Sequence, residues 1–283
     1  MNTKKYLLTF AVAVSSVVST YFVTISTAQQ GTQTAPATAD NEYQVAAVLY
    51  QQHAAEYRAL AFQAFNLAKL RLDEDFDKKN LKKLSKEERK KTRAVVVDID
   101  ETVLDNSPHN AYLVKSGFAY SDSTWENWVG KHSAKPIPGA IEFLQHAKDK
   151  GVRIFYVSNR ANSSKSLTIQ NLNDLKFPDV SDETVKLKIE TSEKEPRRND
   201  IKKDYRIVLL IGDNLDDFSA DYEKKSVAER FTTVNTEEKL FGSQYIVLPN
   251  AMYGTWERAL YDYKNLEIDA KKQKQFDLLE SYK

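Results

Sequence analysis

Ala94-Val95-Val96-Val97-Asp98-Ile99-Asp100-Glu101-Thr102-Val103-Leu104-Asp105-Asn106 is an unbroken apolar run that stops abruptly in a cluster of carboxylates. A short, β-branched, wholly apolar run is the pattern of a strand buried on both faces, as in the middle of a parallel sheet. In open α/β sheets, ligands bind beyond the carboxyl ends of the strands, which is where Asp98 and Asp100 fall. Alternation turns both carboxylates to one side and Ile99 to the other. Two carboxylates so placed repel unless a cation sits between them.

The flanking chain repeats the pattern. Residues 140–150 have the spacing of an amphipathic helix, closed by Gly151 as a C-terminal cap. Residues 152–157 then predict a second strand ending in Ser158-Asn159-Arg160. Strand, helix, strand implies a right-handed parallel crossover and an α/β class. Residues 206–211 predict another buried strand, ending in Gly212-Asp213-Asn214-Leu215-Asp216-Asp217-Phe218. Asp213 and Asp217 bring hard oxygen ligands to the same edge, and Gly212 permits a sharp backbone turn. Asp216 is expected to face away. Residues 186–189, 231–235 and 244–248 are further strand candidates, and the last leads into Pro249-Asn250-Ala251-Met252-Tyr253-Gly254 on the same edge.

Outside these strands the apolar spacing of residues 41–70 predicts one long helix. His53 and Glu56, one turn apart on it, are read as a structural polar pair. Residues 73–77 open like a calcium loop, but Lys78 stands where Gly is needed and Leu84 where Glu is needed, so the site is not formed. The basic stretch 78–93 is read as a solvated helix or loop. Trp125 and Trp128 are three apart, which suits a core stripe or, with Tyr120, a platform that stacks a flat substrate. Residues 261–283 are read as a charged helical tail.

The 283 residues carry 41 Lys plus Arg against 40 Asp plus Glu, so nothing in the charge points to a nucleic acid polymer. With no Cys, disulfides, thiolate zinc sites, thiol catalysis and a lipid-anchoring Cys are excluded. Two lysines within residues 1–5, an apolar stretch over 6–25 and Ser26-Thr27-Ala28 predict a signal peptide over 1–28. Export to the periplasm or medium follows, with membrane attachment only if that segment stays uncleaved. A disordered leader (29–40), a helical segment (41–92) and a catalytic core (93–260) complete the expected organisation.

The segments DIDETVLDN (98–106), VSNR (157–160), GDNLDDF (212–218) and LPNAMYGTWE (248–257) together resemble the class C nonspecific acid phosphatases. These form the bacterial 5′-nucleotidase group of the haloacid dehalogenase-like (HAD) superfamily. The resemblance implies a Rossmann-like parallel sheet flanked by helices, with a smaller helical domain from the N-terminal helices and the C-terminal tail. It also implies an acidic optimum and the possibility of a homodimer.

For the site, the resemblance implies Asp98 as nucleophile, Asp100 as general acid and base, and Mg²⁺ as cofactor. Asp98, Asp100, Asp213 and Asp217 form the implied metal environment, Asp217 supporting it directly or through water. Ser158, with Asn159 beside it, binds phosphate. Lys194, preferred over Lys188 and Lys202, neutralises the phosphate. Tyr120, Trp125, Trp128 and Tyr253 line an aromatic box for the base of a mononucleotide. Sugar-phosphate or phosphoprotein hydrolysis, phosphotransfer, and a noncatalytic surface binding protein are the alternatives.

Overall fold

The computed structural model describes residues 41–282. The signal segment and leader expected over residues 1–40 lie outside the described residues. After one 3₁₀ turn come α1 (Val45–His53), α2 (Ala55–Asp75) and two short helices, α3 (Lys78–Leu81) and α4 (Lys86–Lys90). The middle of the chain is β1 (Thr92–Val97), β2 (Leu104–Asp105), α5 (Ser107–Ser116), α6 (Asp122–Val129), β3 (Lys135–Pro136), α7 (Ala140–Asp149) and β4 (Arg153–Ala161). Then follow α8 (Lys165–Asp174), β5 (Val185–Lys188), α9 (Glu195–Asp204), β6 (Tyr205–Gly212), α10 (Val227–Thr236), β7 (Tyr245–Val247), α11 (Thr255–Leu260) and α12 (Ile268–Asp277).

The main sheet is parallel throughout, in the order β5-β4-β1-β6-β7. The apolar run of β1 takes the centre because it can be buried on both faces. Val95 and Val97 join a core with Ala61, Phe65, Phe143 and Leu144, while Ala94 and Val96 join a second core with Phe155, Ile201 and Phe218. Val97 is level with Tyr156 of β4 and Ile211 of β6. This register brings the carboxyl ends of three strands to one edge, and the Asp98 N–H extends the ladder by donating to the Ile211 carbonyl at 2.9 Å. β2 and β3 pair antiparallel in a small ribbon.

Two expectations about elements change. The single helix over residues 41–70 is two helices, because Ala54 adopts an extended conformation (φ −78°, ψ 125°) between α1 and α2. The break lets each piece serve a different partner: α1 packs on α5, while α2 lies across α7 and buries Tyr57, Ala61, Phe65 and Leu72 in the sheet's own core. The β-branched stretch 231–235 is helical, within α10. Ser226 and Glu229 form a reciprocal capping box there, and Phe231 stays 67% exposed. A cap that satisfies the first free N–H groups outweighs the weak strand preference of Thr and Val. Gly151, at φ +74°, ends α7 as expected. Among the described residues, no helix is long and apolar enough to cross a membrane.

Candidate active site

Asp98 leaves β1 buried, and its carboxylate accepts a hydrogen bond from the Lys194 ammonium. Lys194 stands at the start of α9 and also donates to Asp217 Oδ1 at 2.5 Å. Asp213 follows β6 and is held by Thr102 Oγ1 at 3.1 Å and Asn250 Nδ2 at 2.8 Å. Oxygens of Asp98, Asp213 and Asp217 all lie within 4.8 Å of one another. Gly212 makes this convergence possible, since a Cβ there would lie 2.2 Å from Asp217 Oδ2.

Three carboxylates share this pocket with one ammonium, and the electrostatics record the imbalance. Burial, then the neighbouring Asp217 and Asp213, hold Asp98 well above the usual carboxylate range, with Lys194 only partly offsetting them. Burial and Asp217 push Asp213 up to about 7. Burial pulls Lys194 down, yet Asp217 and Asp98 leave it above its ordinary value. An all-oxygen, anionic donor set, buried at Asp98 and Asp217 and half-buried at Asp213, suits a hard divalent cation, whose charge would offset the carboxylates. The donor set formed by Asp98, Asp213 and Asp217 fits such an ion.

Asp100 occupies a separate corner. Its carboxylate accepts from Arg160 Nε at 2.9 Å and Nη2 at 2.8 Å, from Asn106 Nδ2 at 2.9 Å and from Ser158 Oγ at 3.1 Å. The structure therefore brings Asp98, Asp213 and Asp217 together and leaves the Asp100 side chain out of that set, because Arg160 and Asn106 claim its oxygens. Ser158 lies on the Asp100 side of β4, whereas Asn159 is exposed and accepts from Arg197 Nη2 at 2.6 Å. The side chains of Ser158 and Asn159 thus point to opposite sides, as those of consecutive strand residues do, and the part of Asn159 that stays beside Ser158 Oγ is its backbone.

The aromatic candidates divide likewise. Tyr120, 61% exposed, and Trp125 are a tilted pair with centroids 6.5 Å apart, and both rings meet the buried His109 edge-on. Trp128 is half-buried and donates its indole N–H to Asn106 Oδ1 at 2.8 Å, so it is anchored at one edge. Tyr253, from the loop after β7, donates its hydroxyl to the buried Glu101. Asp216 turns to Arg230 and Thr255, each at 3.2 Å. His53 and Glu56 are both exposed.

Sequence reasoning missed Arg160, Asn106, Thr102 and Asn250, each of which touches a predicted carboxylate. Alternation along Ser158-Asn159-Arg160 was the available signal for Arg160. Asn106 and Asn250 carried none, because their partners are set by loops.

A family model described as HAD superfamily, subfamily IIIB (Acid phosphatase) matches residues 8–256. Among solved structures, the class C acid phosphatase from Bacillus anthracis is similar at a TM-score of 0.79 and 39% identity, covering 86% of this chain and 99% of that one. Its tungstate-bound form gives a TM-score of 0.79 at 38% identity over the same shares. Acid phosphatase 1 of Solanum lycopersicum is 27% identical over 130 residues, 43% of this chain and 50% of that protein. The stem 31 kDa glycoprotein of Glycine max is 27% identical over 140 residues, 46% of this chain and 54% of that protein. The chain spans about half the length of these two plant proteins.

Proposed function

The chain belongs to the acid phosphatases of HAD subfamily IIIB, a family of phosphomonoester hydrolases, and on that premise we propose that it is a Mg²⁺-dependent enzyme that hydrolyses nucleoside 5′-monophosphates through an aspartyl-phosphate on Asp98. The observation that carries this proposal is the meeting of Asp98, Asp213 and Asp217 beside Lys194 at the ends of β1 and β6. Asp98, Asp213 and Asp217 would hold the Mg²⁺, which when bound offsets phosphate charge.

The chain's own groups supply the rest. Lys194 orients the Asp98 carboxylate and holds it as the nucleophile, an assignment suited to a compact point charge. Ser158 Oγ, which donates to Asp100 Oδ2 at 3.1 Å, would bind a phosphoryl oxygen beside Asp100. Asp100 gives a proton to the leaving oxygen, then takes one from the water that cleaves the aspartyl-phosphate. The tungstate-bound relative supports an oxyanion in a fold of this kind. Tyr120 and Trp125, one of them largely exposed, support a flat leaving group and hence a nucleoside. The apolar stretch over residues 6–25 and the small residues 26–28 support export.

The test is Asp98→Asn, assayed with Mg²⁺ on p-nitrophenyl phosphate. Loss of turnover by at least about 10³-fold is expected, since removing a nucleophile leaves only binding effects; near-wild-type turnover would overturn the mechanism. For the substrate class, Tyr120→Ala should raise KM for a nucleoside monophosphate severalfold and leave a sugar phosphate unchanged. Equal effects on both would remove the case for nucleotides.

A further inference from the structure

We propose that Trp128 and Asn106 form a positioning chain that holds Asp100 in the orientation from which it delivers its proton to the leaving group; this rests on Asp100 being the general acid, as proposed above. Asn106 is fully buried, and its side-chain amide spans the gap between an indole and a carboxylate. Its Oδ1 accepts from Trp128 Nε1 at 2.8 Å, and its Nδ2 donates to Asp100 Oδ1 at 2.9 Å. An indole N–H can only donate, so it holds the oxygen end of the amide and turns the amino end toward Asp100. The reversed amide would set a carbonyl against a carboxylate and two donors against each other. Trp128 makes the shortest contact to that oxygen, with Arg160 Nη2 at 3.5 Å and the longer bonds of Nδ2 to Glu101 and Leu104, each at 3.4 Å, favouring the same end, so its N–H leads in setting which end of Asn106 meets the acid.

The rest of Asn106 is fixed independently. Its backbone N–H donates to Glu101 Oε1 at 2.8 Å, so the side chain pivots from a stationary base. Arg160 binds the same carboxylate and lies over the ring of Trp125, 5.5 Å from its centroid. Both indoles of α6 thus reach Asp100, one through a cation and one through an amide. The cation supplies attraction, while the amide adds a second, directional contact to the oxygen that Arg160 also grips. Trp128, placed by sequence among the rings that stack on substrate, acts here through its N–H.

The experiment compares kcat/KM for two aryl-bearing esters, p-nitrophenyl phosphate and benzyl phosphate, in the full-length protein with Mg²⁺. A nitrophenolate leaves without a proton, whereas a benzyl alkoxide needs one, so the ratio of the two reports proton delivery and not general damage. Trp128→Phe keeps an aromatic ring but removes the N–H together with the five-membered half of the indole; Asn106→Ala removes the amide. Each should lower the benzyl to p-nitrophenyl ratio roughly tenfold, a fraction of the 10²- to 10⁴-fold that a general acid contributes. Asp100→Asn is the reference and should lower the ratio further.

If Asp100→Asn lowers the ratio while Trp128→Phe and Asn106→Ala depress both esters equally, Arg160 alone positions the acid and the chain proposed here is wrong. If Asp100→Asn also depresses both esters equally, Asp100 is not the acid, and the mechanism and the chain fall together.

Discussion

Lys194 Nζ lies 2.5 Å from Asp217 Oδ1, a contact buried at both ends, and the same ammonium reaches Asp98. One cation therefore ties the end of β1 to the turn after β6. Removing it leaves two carboxylates facing each other without a counter-charge.

Lys194→Met is expected to destabilise the fold by about 3–5 kcal/mol, the range for removing one partner of a buried ion pair. Hydrolysis should fall by at least about 10²-fold, as for loss of a charge that faces the reacting group. Urea denaturation and steady-state rates measure the two effects. A variant as stable as wild type would show that the pair contributes nothing to folding.

Gly212→Ala would place a Cβ 2.2 Å from Asp217 Oδ2 and 2.5 Å from Asp217 Cβ. Since the obstacle is a buried side chain held by Lys194 and the Asn214 N–H, it cannot move away freely. We expect activity to drop steeply and the Mg²⁺ concentration for half-maximal rate to rise. Unchanged metal dependence in this variant would mean that Asp217 takes no part in the metal environment.

Chelation should abolish hydrolysis, and added Mg²⁺ should restore it and raise the melting temperature, because an ion bound only by the folded state stabilises that state. Asp213→Asn removes one of the three converging carboxylates while keeping the contact partner of Asn250. Its half-saturating Mg²⁺ should rise at least about tenfold, the effect of weakening one ligand by roughly 1.4 kcal/mol. Full activity in excess chelator would dispose of the metal assignment.

Burial lowers His109 from 6.5 to about 4. The folded state then binds fewer protons than the unfolded chain between these values, so stability falls as pH drops from about 6.5 towards 4. For a fully buried ring the effect is on the order of 2–3 kcal/mol across that window. His109→Gln, which does not titrate, should lose this part of the pH dependence. Denaturant curves at pH 7 and pH 4.5 for both proteins check it, and parallel curves for the two would rule it out.

The sheet was legible because its signals are local. A run such as Ala94 to Val97 needs no partner to declare that both its faces are buried, and Asp98 and Asp213 sit at the ends of such runs, whereas Lys194 stands at the start of α9 beyond a charged stretch. The stretch 231–235 misled for a local reason too: its β-branched residues carry a weak preference that the Ser226 and Glu229 cap overrides.

What the sequence determined by itself was periodicity and strand ends: a parallel α/β sheet and the carboxylates at its edge, since alternation and apolar runs are properties of neighbours along the chain. Only the tertiary structure decided which carboxylates meet. Asp98 and Asp100 are two residues apart, yet Asp98 joins Asp213 and Asp217 while Asp100 is taken by Arg160 and Asn106. The physical reason is that a buried carboxylate goes to whichever donor or cation the packing of other elements brings to it: Lys194 arrives from the start of α9 and Arg160 from β4, while Trp128 of α6 meets Asn106, which donates to Asp100.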